Sequence, residues 1–208
     1  AETGLYYSEK DYTDLGNYNH AQHISNLSYA GGIAGIASGA TTFEYCFNNG
    51  NVTTTANNAN ASAAGILGQT PSAKATFNYC ANYGTIIAEK AGAAGIAYSL
   101  YGGVTANYCY NTGDITAPTS FAGGIAPKGH FGGDGIAASC INYGVVTGAN
   151  KKVYQVGSKN TNCYYLEGEN LKIVGGNEIS AKAALEVLNG GENNDFFALE
   201  NGKIYVKK

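Results

Sequence analysis

The side chains with the most intrinsic reactivity are five cysteines, Cys46, Cys80, Cys109, Cys140 and Cys163, which recur at intervals of about 30 residues. None belongs to a Cys-x-x-Cys pair, so the spacing gives a structural zinc site no support. Other chemistry-bearing residues are few. His130 and Asp134 share a glycine-rich stretch, Lys128-Gly129-His130-Phe131-Gly132-Gly133-Asp134-Gly135, where one imidazole and one carboxylate could hold a metal or move a proton. His20 and His23 form a second pair, better suited to a surface or capping position. Between residues 29 and 165 the acids are Glu44, Glu89, Asp114 and Asp134, each differently placed relative to its nearest cysteine. Inverting sugar hydrolysis needs two carboxylates roughly 6.5–9.5 Å apart. Sugar-backbone elimination needs a Lys or Arg base beside an acidic calcium cluster. The chain contains no arginine and no His-Glu-x-x-His motif. The pattern therefore predicts no catalytic residue, no metal and no cofactor.

The cysteines belong to a longer recurring line. Tyr45-Cys46 precedes Asn48-Asn49-Gly50-Asn51-Val52, and Tyr79-Cys80 precedes Asn82-Tyr83-Gly84-Thr85-Ile86. Tyr108-Cys109 precedes Asn111-Thr112-Gly113-Asp114-Ile115, and Ser139-Cys140 precedes Asn142-Tyr143-Gly144-Val145-Val146. Ahead of each copy stands a block of small residues: Gly31-Gly32-Ile33-Ala34-Gly35, Ala64-Gly65-Ile66-Leu67-Gly68, Ala94-Gly95-Ile96-Ala97 and Gly123-Gly124-Ile125-Ala126. Self-similarity at this period marks a repeat architecture. The units lack a 3.6-residue apolar stripe and carry too much Gly, Asn and β-branching for helices.

Each unit reads as one coil: an apolar small strand, a variable turn, a strand ending in Tyr-Cys, an Asn-x-Gly corner and a short β-branched strand. The chain is thus expected to be all-β, a parallel β-helix or β-solenoid with three short strands per coil. Parallel crossovers favour the right hand. Cysteines at one phase form an inward row spaced about 4.8 Å, with parallel Cβ vectors that suit buried thiols better than disulfides. Asn48, Asn82, Asn111 and Asn142 are placed to stack as an amide ladder. Gly50, Gly84, Gly113 and Gly144 are expected to supply the positive φ of a tight corner. Ile33, Ile66, Ile96 and Ile125 are expected to fill the interior.

Residues 1–28 lie outside the repeat, carry charge and aromatics, and are expected to cap the first coil. Residues 29–165 form the solenoid, with a shortened last unit around Tyr154–Tyr165. Residues 166–208 are expected to form a C-terminal cap over the open end. Ser180 can start a helix over about 181–189, and Asn201-Gly202 can turn a hairpin over about 196–206.

Composition narrows the partners. A net charge of −3 and scattered lysines exclude a basic nucleic-acid face. No apolar run approaches the ~18–20 residues that span a bilayer, so no membrane insertion is expected. Low charge with 17 tyrosines and 30 glycines suits a sheet-rich extracellular body. The missing initiator Met reads as a piece of a larger surface protein.

The order Gly-Gly-Ile-Ala-Gly, then Tyr-Cys-x-Asn-x-Gly-x-Val, resembles the GLUG-motif repeats of bacterial surface proteins, across residues 29 to 165; Ser139 departs from it in the fourth unit. The resemblance implies a β-solenoid in a secreted or cell-surface bacterial protein, as in gut bacteria, with an adhesin-like role and no shared catalytic residues. The expected function is structural or binding rather than enzymatic, with a host glycan or protein as ligand. Candidate contact residues are Lys128, His130, Phe131 and Asp134 in the insertion, with Tyr83 and Tyr143 (and Tyr110) as rings. The alternative is a carbohydrate-active β-helix enzyme, or an accessory carbohydrate-binding module of a larger surface enzyme. A row of Thr53, Thr116 and Thr147 raises ice binding, but Ile87 interrupts it.

Overall fold

The computed structural model describes residues 29–56, 61–70, 74–99, 103–129, 132–189 and 196–207. The expected N-terminal cap, His20, His23, His130 and Phe131 lie outside these residues. The first coil comprises β1 (Tyr29–Gly31), β2 (Ala34–Ile36), β3 (Thr41–Glu44), β4 (Phe47–Asn48) and β5 (Val52–Thr54). The second repeats it as β6 (Ser62–Ala64), β7 (Leu67–Gln69), β8 (Ala75–Asn78), β9 (Ala81–Asn82) and β10 (Ile86–Ala88). The third holds β11 (Gly92–Ala94), β12 (Val104–Asn107), β13 (Tyr110–Asn111) and β14 (Ile115–Ala117). The fourth holds β15 (Ala122–Gly123), β16 (Gly135–Ala138), β17 (Ile141–Asn142) and β18 (Val146–Gly148). A shortened coil follows, with β19 (Val153–Tyr154), β20 (Lys159–Thr161) and β21 (Tyr164–Glu167).

Successive coils pair strand for strand, parallel and in register, as in Thr41–Glu44 against Ala75–Asn78 and Val52–Thr54 against Ile86–Ala88. Long sheets run along the body in the orders β1-β6-β11-β15-β19, β3-β8-β12-β16-β20, β4-β9-β13-β17-β21 and β5-β10-β14-β18. The fold is a parallel β-solenoid of about four turns. Each full coil carries more than the three expected strands. The stretch expected as a single strand through Tyr-Cys is two, because Tyr45 and its counterparts turn a corner between β3 and β4. The Gly-Gly-Ile-Ala block also bends, between β1 and β2.

Two apolar compartments fill the coils. Inward residues of the β3 sheet, such as Phe77, Ala106 and Ala137, meet Ile66, Ile96, Ile125 and the cysteines. Ala63, Ala93 and Ala122 meet Val52, Ile86 and Ile115 across the second compartment. Each fully buried isoleucine contributes roughly 1.5–3 kcal/mol. Ile33 departs from the expected interior position: it belongs to the end coil and is 50% exposed.

The C-terminal segment begins as β22 (Asn170–Ile173), antiparallel to β21 with Leu166 opposite Leu171. Helix α1 (Ala181–Leu188) follows, its first turn capped by Ser180, which accepts the Ala183 N–H at 3.2 Å. The chain closes with a hairpin of β23 (Phe197–Glu200) and β24 (Lys203–Val206). Asn201 and Gly202 both have positive φ (51° and 78°), as a type I′ turn requires. Asn189, just past the helix, grips Phe197 with both ends of its amide, donating to the carbonyl at 2.8 Å and accepting the N–H at 3.3 Å.

The hairpin does not sit over the open end of the coils. It lies along the outer face of the β4 sheet, where Phe47, Ala81, Tyr110, Ile141 and Tyr164 offer a continuous apolar strip. Phe196 packs edge-on against Tyr45 at 6.2 Å and Tyr79 at 5.0 Å. Phe197 meets Tyr110 at 6.4 Å. Docking there takes the apolar strip out of water, which favours this position.

Candidate functional site

The recurring line is where candidate chemistry is densest, and its geometry is built coil against coil. Asn48 Nδ2 donates to Asn82 Oδ1 at 2.7 Å, Asn82 to Asn111 at 2.7 Å, and Asn111 to Asn142 at 2.6 Å. Each Nδ2 also donates to the carbonyl of the glycine two residues on, at 2.6–2.9 Å. Asn82, Asn111 and Asn142 are fully buried, so these bonds replace water that cannot reach them. The amides lie against the small-residue blocks. A Cβ added to Gly32 or Gly65 would fall 2.6 Å from the Cγ of Asn48 or Asn82. The two halves of the repeat are therefore one device, in which glycine makes room for asparagine.

The corner glycines play a different part from the one expected. Gly50, Gly84, Gly113 and Gly144 do not have positive φ; at the last three an added Cβ would overlap the carbonyl oxygen of the glycine one coil earlier. Close approach of coils demands glycine there. Positive φ falls instead on the residue before each cysteine: Tyr45 (50°), Tyr79 (56°), Tyr108 (53°), Ser139 (52°) and Asn162 (50°). A bulky residue in that region costs about 1–3 kcal/mol. Ring stacking offsets it, with Tyr45 on Tyr79 at 5.0 Å and Tyr79 on Tyr108 at 5.2 Å.

All five cysteines are free thiols; Cys80, Cys109, Cys140 and Cys163 are buried and Cys46, in the end coil, is partly exposed. Their sulfurs point at backbone carbonyls: Cys140 Sγ lies 3.3 Å from both Ala106 and Ala138 oxygens, and Cys163 Sγ 3.3 Å from Ala137 and Thr161. Burial holds the Cys109 and Cys140 thiols well above their usual pKa. The hydrogen bond to Cys140, with burial second, raises Cys163. Such thiols are poor nucleophiles at neutral pH.

The sequence-selected contact residues separate into two places. Lys128 and Asp134 flank the insertion, which closes on itself through Gly129 N–H to Gly133 O at 2.7 Å. Lys128 is exposed, and Asp134 pairs with Lys159 of the next coil at 2.6 Å, an exposed pair of small energetic weight. Tyr83 and Tyr143 stand on the β4 sheet beneath the C-terminal hairpin, both half-buried, with Tyr110 between them at 6.0 and 5.8 Å. Tyr110 donates its hydroxyl proton to the Ile204 carbonyl at 2.8 Å, and the Tyr143 oxygen accepts the Ile204 N–H at 3.0 Å. Burial raises the pKa of all three phenols. These rings are engaged within the chain.

Two features escaped the sequence reading. Thr42, Thr76 and Thr105 align across β3, β8 and β12, and two positions on, Glu44, Asn78 and Asn107 align beside them. All six point outward, and Asn107 donates to Asn78 (3.0 Å), which donates to Glu44 (3.1 Å). Their offsets from the following cysteine are constant, a signal the sequence carries. The second feature is a cleft of about 730 Å³ at the foot of the hairpin, between the β21–β22 turn, the start of α1 and the β23–β24 turn. Glu169, Asn170, Glu178, Ser180, Lys203 and Tyr143 line it. It is assembled from three separate turns, so no local motif announces it.

Among the described residues no group of three or more His, Cys, Asp or Glu is placed to hold a metal ion. No helix among them is long and apolar enough to cross a membrane. Comparison with protein-family models, with curated proteins and with solved structures finds no match to this chain.

Proposed function

We propose that this chain is a non-catalytic, adhesin-like module of a bacterial surface protein, a rigid solenoid that presents a ligand-binding face outside the cell. The observation that carries the reading is the use made of the repeat's reactive side chains. Cys, Asn and Tyr are spent on contacts between coils. Variation between units is thereby left to the outward positions and turns, as in repeat scaffolds that evolve for binding. The resemblance to GLUG-motif repeats and the low charge agree with an extracellular setting. The partner is a host glycan or protein. A glycan array and a host-matrix binding assay test this: retention of at least one ligand is expected, and silence in both reduces the chain to a spacer.

A carbohydrate-active enzyme is the second reading, and the observation favouring it is that Glu169 and Glu178 line one cleft. Release of reducing ends from a polysaccharide, lost in Glu169→Gln and Glu178→Gln, would establish it.

A further inference from the structure

The C-terminal cleft has the size of a small-molecule site, about 730 Å³ within the usual range of roughly 300–1,000 Å³. We propose that it binds a short saccharide of one or two rings, neutral or amine-bearing; this rests on the binding-module reading above and assigns its ligand site. Glu169 and Glu178 bring carboxylates, and Lys203, at the start of β24, brings an ammonium group. Neither Glu169 nor Lys203 is in an ion pair among the described residues. Glu178 already accepts from Asn170 Nδ2 at 2.9 Å, which fixes its orientation and leaves further lone pairs free.

An ammonium donor and planar carboxylate acceptors lining one cleft match the vicinal hydroxyls of a sugar, each of which donates once and accepts once. Tyr143 supplies the remaining requirement. Its oxygen is held by the Ile204 N–H, so the ring is fixed beside Leu171 and Ile179 as an apolar wall for the C–H face of a pyranose. Two carboxylates against one ammonium make the lining net negative, which disfavours sulfated or uronic sugars and admits hexosamines. A bound ring would bridge the last coil and the hairpin, tying the two together.

The test is titration calorimetry on the full chain with cellobiose, lactose, glucosamine and chitosan disaccharide, and with heparin disaccharide as the anionic control. The double variant Glu169→Ala/Lys203→Ala removes two exposed side chains, so its melting temperature should equal that of the parent. Expected are binding of at least one neutral or amine-bearing sugar, a tenfold or greater loss in the double variant, and slower amide exchange at Ile204 when sugar is present. Equal affinity in the double variant, or preference for the heparin disaccharide, overturns the cleft assignment but leaves the module reading intact. No sugar bound, while a host protein is captured, overturns the saccharide alone. Silence toward sugars and host proteins together overturns both.

Discussion

Truncation of Asn111 to alanine is the most direct probe of what holds the coils together. The change deletes three hydrogen bonds: to Gly113 O (2.8 Å), to Asn142 Oδ1 (2.6 Å) and from Asn82 Nδ2 (2.7 Å). A lost bond is worth roughly 1 kcal/mol, and a buried polar atom left without a partner costs about 1–3 kcal/mol more. Relief is partial. Asn82 Nδ2 keeps Gly84 O at 2.7 Å, and Asn142 Oδ1 keeps the Gly144 N–H at 3.1 Å. The expected loss is therefore about 3–5 kcal/mol, a large share of the roughly 5–15 kcal/mol by which domains are stable. The same truncation at Asn48 also deletes three bonds, to Gly50 O (2.6 Å), to Asn82 Oδ1 (2.7 Å) and from Gly50 N–H (3.2 Å), and leaves the buried Asn82 Oδ1 without its donor, so it should cost about 2–4 kcal/mol. Urea unfolding followed by circular dichroism measures both, with an unchanged m-value as the check that the folded state is intact. A loss below about 1 kcal/mol at Asn111 would refute the ladder as the source of cohesion.

Gly95→Ala should destabilise by about 3 kcal/mol or more, since its Cβ would overlap the Gly124 carbonyl oxygen and lie 2.8 Å from Asn111 Cγ. Gly168→Ala, in open space at φ 62°, should cost only about 1 kcal/mol, urea unfolding again being the measure for both variants. The buried thiols Cys109 and Cys140, with pKa raised in the folded state, bind protons more tightly there than in the unfolded chain. Their stabilising effect is complete below the unfolded thiol pKa of about 8.5 and is lost above it, by roughly 1.4 kcal/mol per pH unit for each thiol. Denaturation midpoints should be flat from pH 6 to 8 and fall beyond, less steeply in Cys109→Ala. Tyr143→Phe leaves the Ile204 N–H without its acceptor. It should cost about 1 kcal/mol and speed amide exchange at Ile204 while leaving Ile96 protected.

The repeat in the sequence is the repeat in space, which is why the solenoid, the amide ladder and the cysteine row could be read from residue types and spacing alone. Contacts that depend on what lies one coil away were less legible. Glycine at Gly84 reads as a turn residue in one dimension, yet its role is set by the Gly50 carbonyl, 34 residues earlier and in van der Waals contact after folding. The αL tyrosines were hidden for the related reason that local propensity argues against them, and only stacking between coils makes them tolerable. The position of the hairpin followed from which face of β4, β9, β13 and β17 is apolar, a fact that requires knowing where the strands break. The cleft was the least visible, since its walls are brought together only by that docking.

Stacked-coil proteins are in principle one-dimensional, each coil touching only its neighbours, so that they can fray from an end or open in the middle. The hairpin along the flank changes this. Phe196 touches the tyrosines of the first and second coils, while Ile204 is hydrogen-bonded to those of the third and fourth. It works as a splint, coupling coils that are not adjacent and turning a row of separable units into one cooperative body. It is also a gauge: its reach matches this number of coils, so a duplicated coil, easily accommodated by the ladders, would leave the splint one rung short.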